Sequence, residues 1–186
     1  MNGAGRLDVP VWLLDVDGVL NAMSRPGWSA APDQRYAHAD GLRFRLRWAP
    51  ALLAEVRDLI RSDAVEVRWA TSWVSHIDQI AGAMALPDLP LAFTLPTHLA
   101  AASDELHDAT RSAKRAAALD VVASGRRLLW TDDAAIWRSG PEREHLEAAG
   151  ALLIAPDERR GLQPADLAAI RAWLDDPTTT TAGPRP

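Results

Sequence analysis

Apolar residues follow two rhythms along the chain. Short, nearly unbroken runs at "VPVWLLDV" (9–16), "VEVRWA" (65–70), "RRLLW" (126–130) and "ALLIA" (151–155) suit strands covered on both faces. Longer stretches repeat apolar positions every three or four residues, which predicts helices over 49–62, with Pro50 in the first turn, over 73–84, and over 104–123, stopped by Gly125. The same rhythm predicts helices in "EREHLEAAG" (142–150) and "PADLAAIRAWL" from Pro164, and "LAFTL" (91–95) reads as a further short strand.

Strands alternating with helices predict a three-layer α/β/α architecture, a doubly wound parallel sheet, in a domain spanning 1–176. Residues 22–48 break the alternation. "AMSRPGWSAAPDQ" is loop-like, and "RYAHADGLRFRLRW" places Asp40-Gly41 between two candidate strands, a hairpin signal that suggests a small flap. The Thr- and Pro-rich stretch 177–186 has no apolar period and is expected to be a disordered tail.

Composition narrows the classes. With 20 basic and 25 acidic residues the formal net charge is −5, so attraction of the whole molecule to nucleic acid or an anionic membrane is not indicated. The absence of cysteine excludes disulfides, thiolate nucleophiles and cysteine metal sites. No secretory signal pattern and no apolar run of membrane-spanning length is present, so a soluble cytoplasmic protein is expected. Nineteen of the basic residues are arginine, and Lys114 is the one lysine. In such a background a single compact ammonium suggests a site that needs one.

Ligands of doubly wound sheets sit at the carboxyl ends of the strands. There the chain places Asp15 and Asp17 after the first strand, Thr71 and Ser72 after the second, and Asp132 and Asp133 after "RRLLW". Neighbouring carboxylates at the end of an apolar run repel one another and lose hydration, so a cation is the natural compensation. An oxygen-rich edge of this kind suits Mg²⁺. The EF-hand loop pattern begun at Asp15 fails, because Val19, Leu20 and Pro26 stand where it needs a ligand, a glycine and a glutamate.

"DVDGVLN", the Thr71 that ends "RWAT", Lys114 and "WTDD", in this order, resemble the four motifs of the haloacid dehalogenase-like (HAD) phosphohydrolases over residues 11 to about 174. "LLDVDGVLN", "RWATSW", "LLWTDD" and "RRGLQPADLAAIRAWL" are similar, more narrowly, to the HAD domain of Swiss-army-knife RNA repair proteins. Val74 and Asp78 depart from that subgroup, where an acidic residue and an asparagine often follow the tryptophan.

The resemblance implies a Mg²⁺-dependent phosphatase acting on a phosphomonoester through an aspartyl-phosphate, with a nucleotide or a nucleic-acid terminal phosphate as candidate substrate. Asp15 would be the nucleophile, and Asp17 the acid and base, its backbone carbonyl also facing the metal. Gly18, Thr71, Ser72 and Lys114 would receive the phosphate, and Asp132 and Asp133 would complete a metal site with Asp15 and Asp17. No large cap is visible between Gly18 and Pro50 or between Ser72 and Lys114, so the site is expected to be lightly covered.

Plainer roles stand beside these. Thr71 and Ser72 could cap the following helix, and Asp133 a short helix at "AAIW". Arg43, Arg45 and Arg47 share one face of a strand, which reads as a solvated flap surface or as a phosphate clamp. Trp28 is either a core filler or a stacking platform for a base or sugar. His38, His76, His98, His107 and His145 lack metal spacing and are assigned to surface or packing. The alternative to an enzyme is a binding module that keeps the pocket without turnover.

Overall fold

The computed structural model describes residues 9–96 and 103–176. Strands β1 (Val11–Leu14), β4 (Glu66–Trp69), β5 (Leu128–Thr131) and β6 (Leu152–Ile154) form one parallel sheet in the order β4-β1-β5-β6. A hairpin, β2 (Asp33–Ala39) and β3 (Leu42–Trp48), stands apart from it. The helices are α1 (Pro50–Arg61), α2 (Ile77–Met84), α3 (Asp104–Ala123), α4 (Pro141–Ala148) and α5 (Pro164–Asp175).

Alternation along β1 sorts the core into two layers. Trp12 and Leu14 face one side, with Leu52, Val56 and Leu59 of α1, Ile80 and Met84 of α2, and Leu167 and Ile170 of α5. Val11 and Leu13 face the other, with Ala118 and Val121 of α3 and Leu146 of α4. Both faces of the sheet are covered, which is why its strands read as unbroken apolar runs. The expected three-layer α/β architecture is the one found.

The chain leaves β1 for β4 on one side and later returns to β5 on the other. The gap between the carboxyl ends of β1 and β5 is therefore the switch point, where open α/β sheets bind ligands. Leu14 pairs with Thr131 there, and the amide of Asp15 donates to the Thr131 carbonyl at 3.2 Å.

The predicted hairpin forms, with Asp40 (φ +48°) and Gly41 (φ +76°) at its tip, as a two-residue turn with both central φ positive requires. Its inner face, Ala37, Ala39, Leu46 and Trp48, joins the α1/α2 core, with Phe44 partly buried beside it. Gln79 of α2 holds the open edge: its Oε1 accepts from the His38 amide (3.0 Å) and its Nε2 donates to the His38 carbonyl (2.8 Å).

Two local expectations are corrected. Residues 91–95 do not form a strand. Only Leu91 bridges to Trp69, through Trp69 N–H to Pro90 O and Ala92 N–H to Trp69 O. Pro90, which lacks an N–H, adjoins this single bridge. Residues 134–137 are not helical, so Asp133 caps no helix there. The region predicted as one helix over 73–84 is a 3₁₀ turn, Val74–His76, followed by α2. The expected tail, 177–186, lies outside the described residues. No helix among the described residues is long and apolar enough to cross a membrane.

Candidate active site

Asp15, Asp132 and Asp133 meet at the switch point, each with a carboxylate oxygen within 4.8 Å of the others. Asp132 is fully buried and Asp15 nearly so, because each directly follows a central strand. The Asp132 amide continues the ladder by donating to Ile154 O at 3.1 Å. Its Oδ1 turns the chain away from the sheet, accepting from the amides of Ala134 (3.0 Å) and Ala135 (2.5 Å). Asp132 thus makes the turn-closing bonds that sequence assigned to Asp133.

Lys114, on the buried face of α3, reaches both inner carboxylates: Nζ lies 2.5 Å from Asp15 Oδ2 and 2.7 Å from Asp132 Oδ2. The other oxygen of Asp15 accepts from the amide of Val16 at 2.7 Å. Burial pushes the Asp15 carboxyl up to about 8. Lys114 pulls against that, and the charges of Asp132 and Asp17 add to the rise. Asp133 is pushed up to about 6, first by burial and then by the charge of Asp132. Burial works against the Lys114 ammonium, but the two carboxylates outweigh it and hold its pKa above the ordinary value.

Gly18 shapes the floor. It sits at φ +70°, and a Cβ there would fall 2.4 Å from Asp133 Cγ. The bare backbone therefore lets Asp133 close onto the site. Thr71, fully buried, follows β4 beside Asp15, since the Ala70 amide donates to Leu14 O at 2.9 Å. Its Oγ1 accepts a long 3.4 Å contact from the Trp73 amide.

The Asp17 carboxylate stands outside the three-carboxylate cluster. Its Oδ1 accepts from Asn21 Nδ2 (2.5 Å) and its Oδ2 from Trp73 Nε1 (2.8 Å). The metal contact expected of Asp17 is thus left to its backbone carbonyl. Asn21 extends the link, because its Oδ1 accepts from the Arg47 amide of the hairpin at 2.7 Å. Beside Asp17 opens a cavity of about 260 Å³, lined from the hairpin, the β4–α2 connection and the start of α3, and Ser72 lines it.

Sequence reasoning brought the aspartates, Lys114, Gly18 and Thr71 to one edge, and they lie there. It gave no role to Asn21 or Trp73, although both stand inside the quoted motifs. It also assigned His76 and His107 to surface or packing, whereas both line the cavity. His98 lies outside the described residues. Trp28 is no stacking platform: it packs against the core, and its Nε1 donates to Leu162 O at 2.9 Å. Arg43, Arg45 and Arg47 share the outer hairpin face with Tyr36, opposite the buried one. Arg43 stacks 3.5 Å over the Tyr36 ring and Arg47 donates to Ser24 O.

Three carboxylates around one ammonium leave room for a further positive charge. Asp132 Oδ2 is buried without a well-aligned hydrogen bond. A hard divalent cation fits this all-oxygen donor set. A family model described as the HAD domain in Swiss Army Knife RNA repair proteins matches residues 11–167. No curated protein and no solved structure matches the chain.

Proposed function

We infer the reaction from two facts taken together: the chain belongs to the family of HAD domains found in Swiss Army Knife RNA repair proteins, and its one lysine bridges two buried aspartates at the sheet's switch point. The proposed activity is hydrolysis of a phosphomonoester through an aspartyl-phosphate on Asp15, with nucleotides and nucleic-acid termini as the candidate substrates. The Lys114 bridge is the observation that carries it. A buried ammonium between a nucleophile and a second carboxylate fixes the attacking oxygen and faces the charge that builds on the transferring group.

In this reading Asp15 attacks phosphorus while Asp17, on the cavity side, gives a proton to the leaving oxygen. Asp17 then takes a proton from water as that water attacks the aspartyl-phosphate, which frees Asp15 and releases phosphate. Asn21 and Trp73 hold the Asp17 carboxylate in place, each carboxylate oxygen keeping a lone pair for the proton it exchanges. Thr71 and Ser72 offer hydroxyls, and Gly18 a bare backbone, to the phosphoryl oxygens.

Asp15, Asp132, Asp133 and the Asp17 carbonyl would hold the magnesium ion, which supplies charge neutralisation for phosphate and carboxylate together. A chain free of cysteine fits a reducing cytoplasmic setting. The test is hydrolysis of p-nitrophenyl phosphate and of a nucleotide panel with Mg²⁺, with and without EDTA. Activity that survives in Asp15→Asn overturns the mechanism. Magnesium-dependent ligand binding without turnover of any phosphoester would make the chain a binding module instead.

A further inference from the structure

The cavity beside Asp17 is unused by the phosphoryl chemistry itself, yet it opens where a leaving group must lie. Asp17 lines it, so the oxygen that takes the Asp17 proton points its substituent into this space. Its walls combine two kinds of surface. Phe44 and Trp73 meet edge to face, with ring centroids 5.1 Å apart and planes at 85°, which holds both rings rigidly at the wall. Ser72, Ser75, His76 and His107 add hydroxyl and imidazole groups that can donate or accept hydrogen bonds.

Charge is the other clue. The described residues that line the cavity include no lysine or arginine, and their charged side chains are the carboxylates of Asp17 and Asp40. A leaving group with a second phosphate would lie beside carboxylates with no cation there to receive it. The hairpin arginines cannot supply one. Arg43 and Arg45 flank Phe44 in sequence and so project from the opposite face of the strand. A volume of about 260 Å³ falls just below the roughly 300–1,000 Å³ of drug-sized ligand sites, which leaves room for one ring system and its sugar.

We propose that this cavity is the leaving-group site and receives a single uncharged nucleoside, its base against the Phe44–Trp73 wall and its polar edges met by the serines and histidines. The inference rests on the phosphohydrolase reading. In the reaction the bond from phosphorus to the nucleoside oxygen breaks, the phosphoryl group passes to Asp15, and the nucleoside oxygen leaves with the Asp17 proton. The nucleoside comes either from a free mononucleotide or from the end of a strand.

The test compares kcat/KM for adenosine 5′-monophosphate with that for ribose 5-phosphate, which presents the same phosphoester without the base. Base stacking on an aromatic wall predicts a ratio of about 10 or more. Phe44→Ala should bring that ratio close to one. Ser75→Trp, which fills the cavity from an exposed position and leaves the core alone, should do the same. Fructose 1,6-bisphosphate should be a poorer substrate than the mononucleotide. A 5′-phosphorylated tetranucleotide identifies the source: turnover equal to the mononucleotide assigns a strand end, and loss of turnover assigns the free nucleotide.

A wild-type ratio near one, or a ratio that neither variant moves, overturns the proposal while leaving the phosphohydrolase reading intact. Failure to hydrolyse any phosphoester overturns that reading instead. The cavity is then read directly from equilibrium binding of the two ligands to Asp15→Asn by calorimetry, where equal affinities for adenosine 5′-monophosphate and ribose 5-phosphate overturn the nucleoside site.

Discussion

Trp73 Nε1 donates a 2.8 Å hydrogen bond to Oδ2 of Asp17, tying the first residue of the β4–α2 turn to the loop after β1. Asn21 takes the other oxygen and bonds to the hairpin, so the orientation of Asp17 depends on three separate parts of the chain. An acid held in this way matters most when the leaving oxygen is a poor leaving group. Trp73→Phe keeps an aromatic ring and removes the donor. It should lower kcat about tenfold or more for alkyl phosphates, within the range one positioned acid–base group contributes. Hydrolysis of p-nitrophenyl phosphate, whose leaving group needs little protonation, should fall much less. A plot of log kcat against leaving-group pKa checks this: the slope steepens in the variant, and an equal loss across the series refutes the positioning role.

Gly18→Ala tests the packing of backbone against Asp133. The added methyl meets Asp133 Cγ at 2.4 Å and is attached to a residue at φ +70°. Strain at a positive φ costs about 1 kcal/mol or more, and relieving the clash must displace a site carboxylate. The expected outcome is a Tm lowered by several degrees, with a loss of turnover larger than the stability change explains. Thermal melting and steady-state kinetics on the same preparation check both parts.

Several features of this site were legible from local pattern. The four sheet strands announce themselves because burial on both faces removes alternation, and Asp15 and Asp132 stand out because each breaks such a run. The choice between Asp132 and Asp133 was not legible. It depends on β6, whose Ile154 carbonyl takes the Asp132 amide and extends the buried ladder by one residue. The cavity is more remote still from sequence, since Phe44, Trp73 and His107 come from a hairpin, a turn and a distant helix that meet only through tertiary packing. The failed strand at 91–95 shows the reverse error, in which an apolar run lacks a partner edge for more than one residue pair.

Glu66 gives a pH prediction away from the site. Its carboxylate takes Arg68 Nη2 at 2.7 Å and Arg126 Nη1 at 2.8 Å. Burial tends to raise its pKa, but the bonds and charges of the two arginines outweigh that and hold it below its ordinary value near 4.5. Because the folded value is the lower one, the stabilisation is complete above about pH 4.5 and is lost as pH falls through the folded value. Glu66→Gln should therefore be less stable than wild type at neutral pH, by about 1 kcal/mol. The two proteins should converge as acid protonates Glu66. Urea melts at a series of pH values check this, and a gap that widens on acidification refutes it.

Lys114 offers the most informative pair of variants, because its removal has two separable consequences. It is 6% exposed and lies against two buried carboxylates, so Lys114→Ala strips both of their only neighbouring ammonium among the described residues. Leaving a buried charge without its partner typically costs about 3–5 kcal/mol, so the metal-free variant should melt well below wild type. A divalent cation at the same carboxylates replaces part of the lost charge. Magnesium should therefore raise the Tm of Lys114→Ala by more than it raises that of wild type. Asp132→Asn, which removes a carboxylate from the cluster, should blunt the magnesium effect. Turnover follows a different course. Losing one cation aimed at the transferring group costs about 10²-fold or more, and magnesium at its own site does not restore it. Lys114→Arg keeps the charge but puts a planar fork in place of a compact ammonium between oxygens 2.5 and 2.7 Å from Nζ, so it should recover stability better than turnover. Thermal melts with EDTA and with magnesium, set beside kcat for the three variants, check each part. Wild-type turnover in Lys114→Ala would remove the lysine from the reaction, and a Tm indifferent to magnesium in all proteins would remove the metal from the carboxylates.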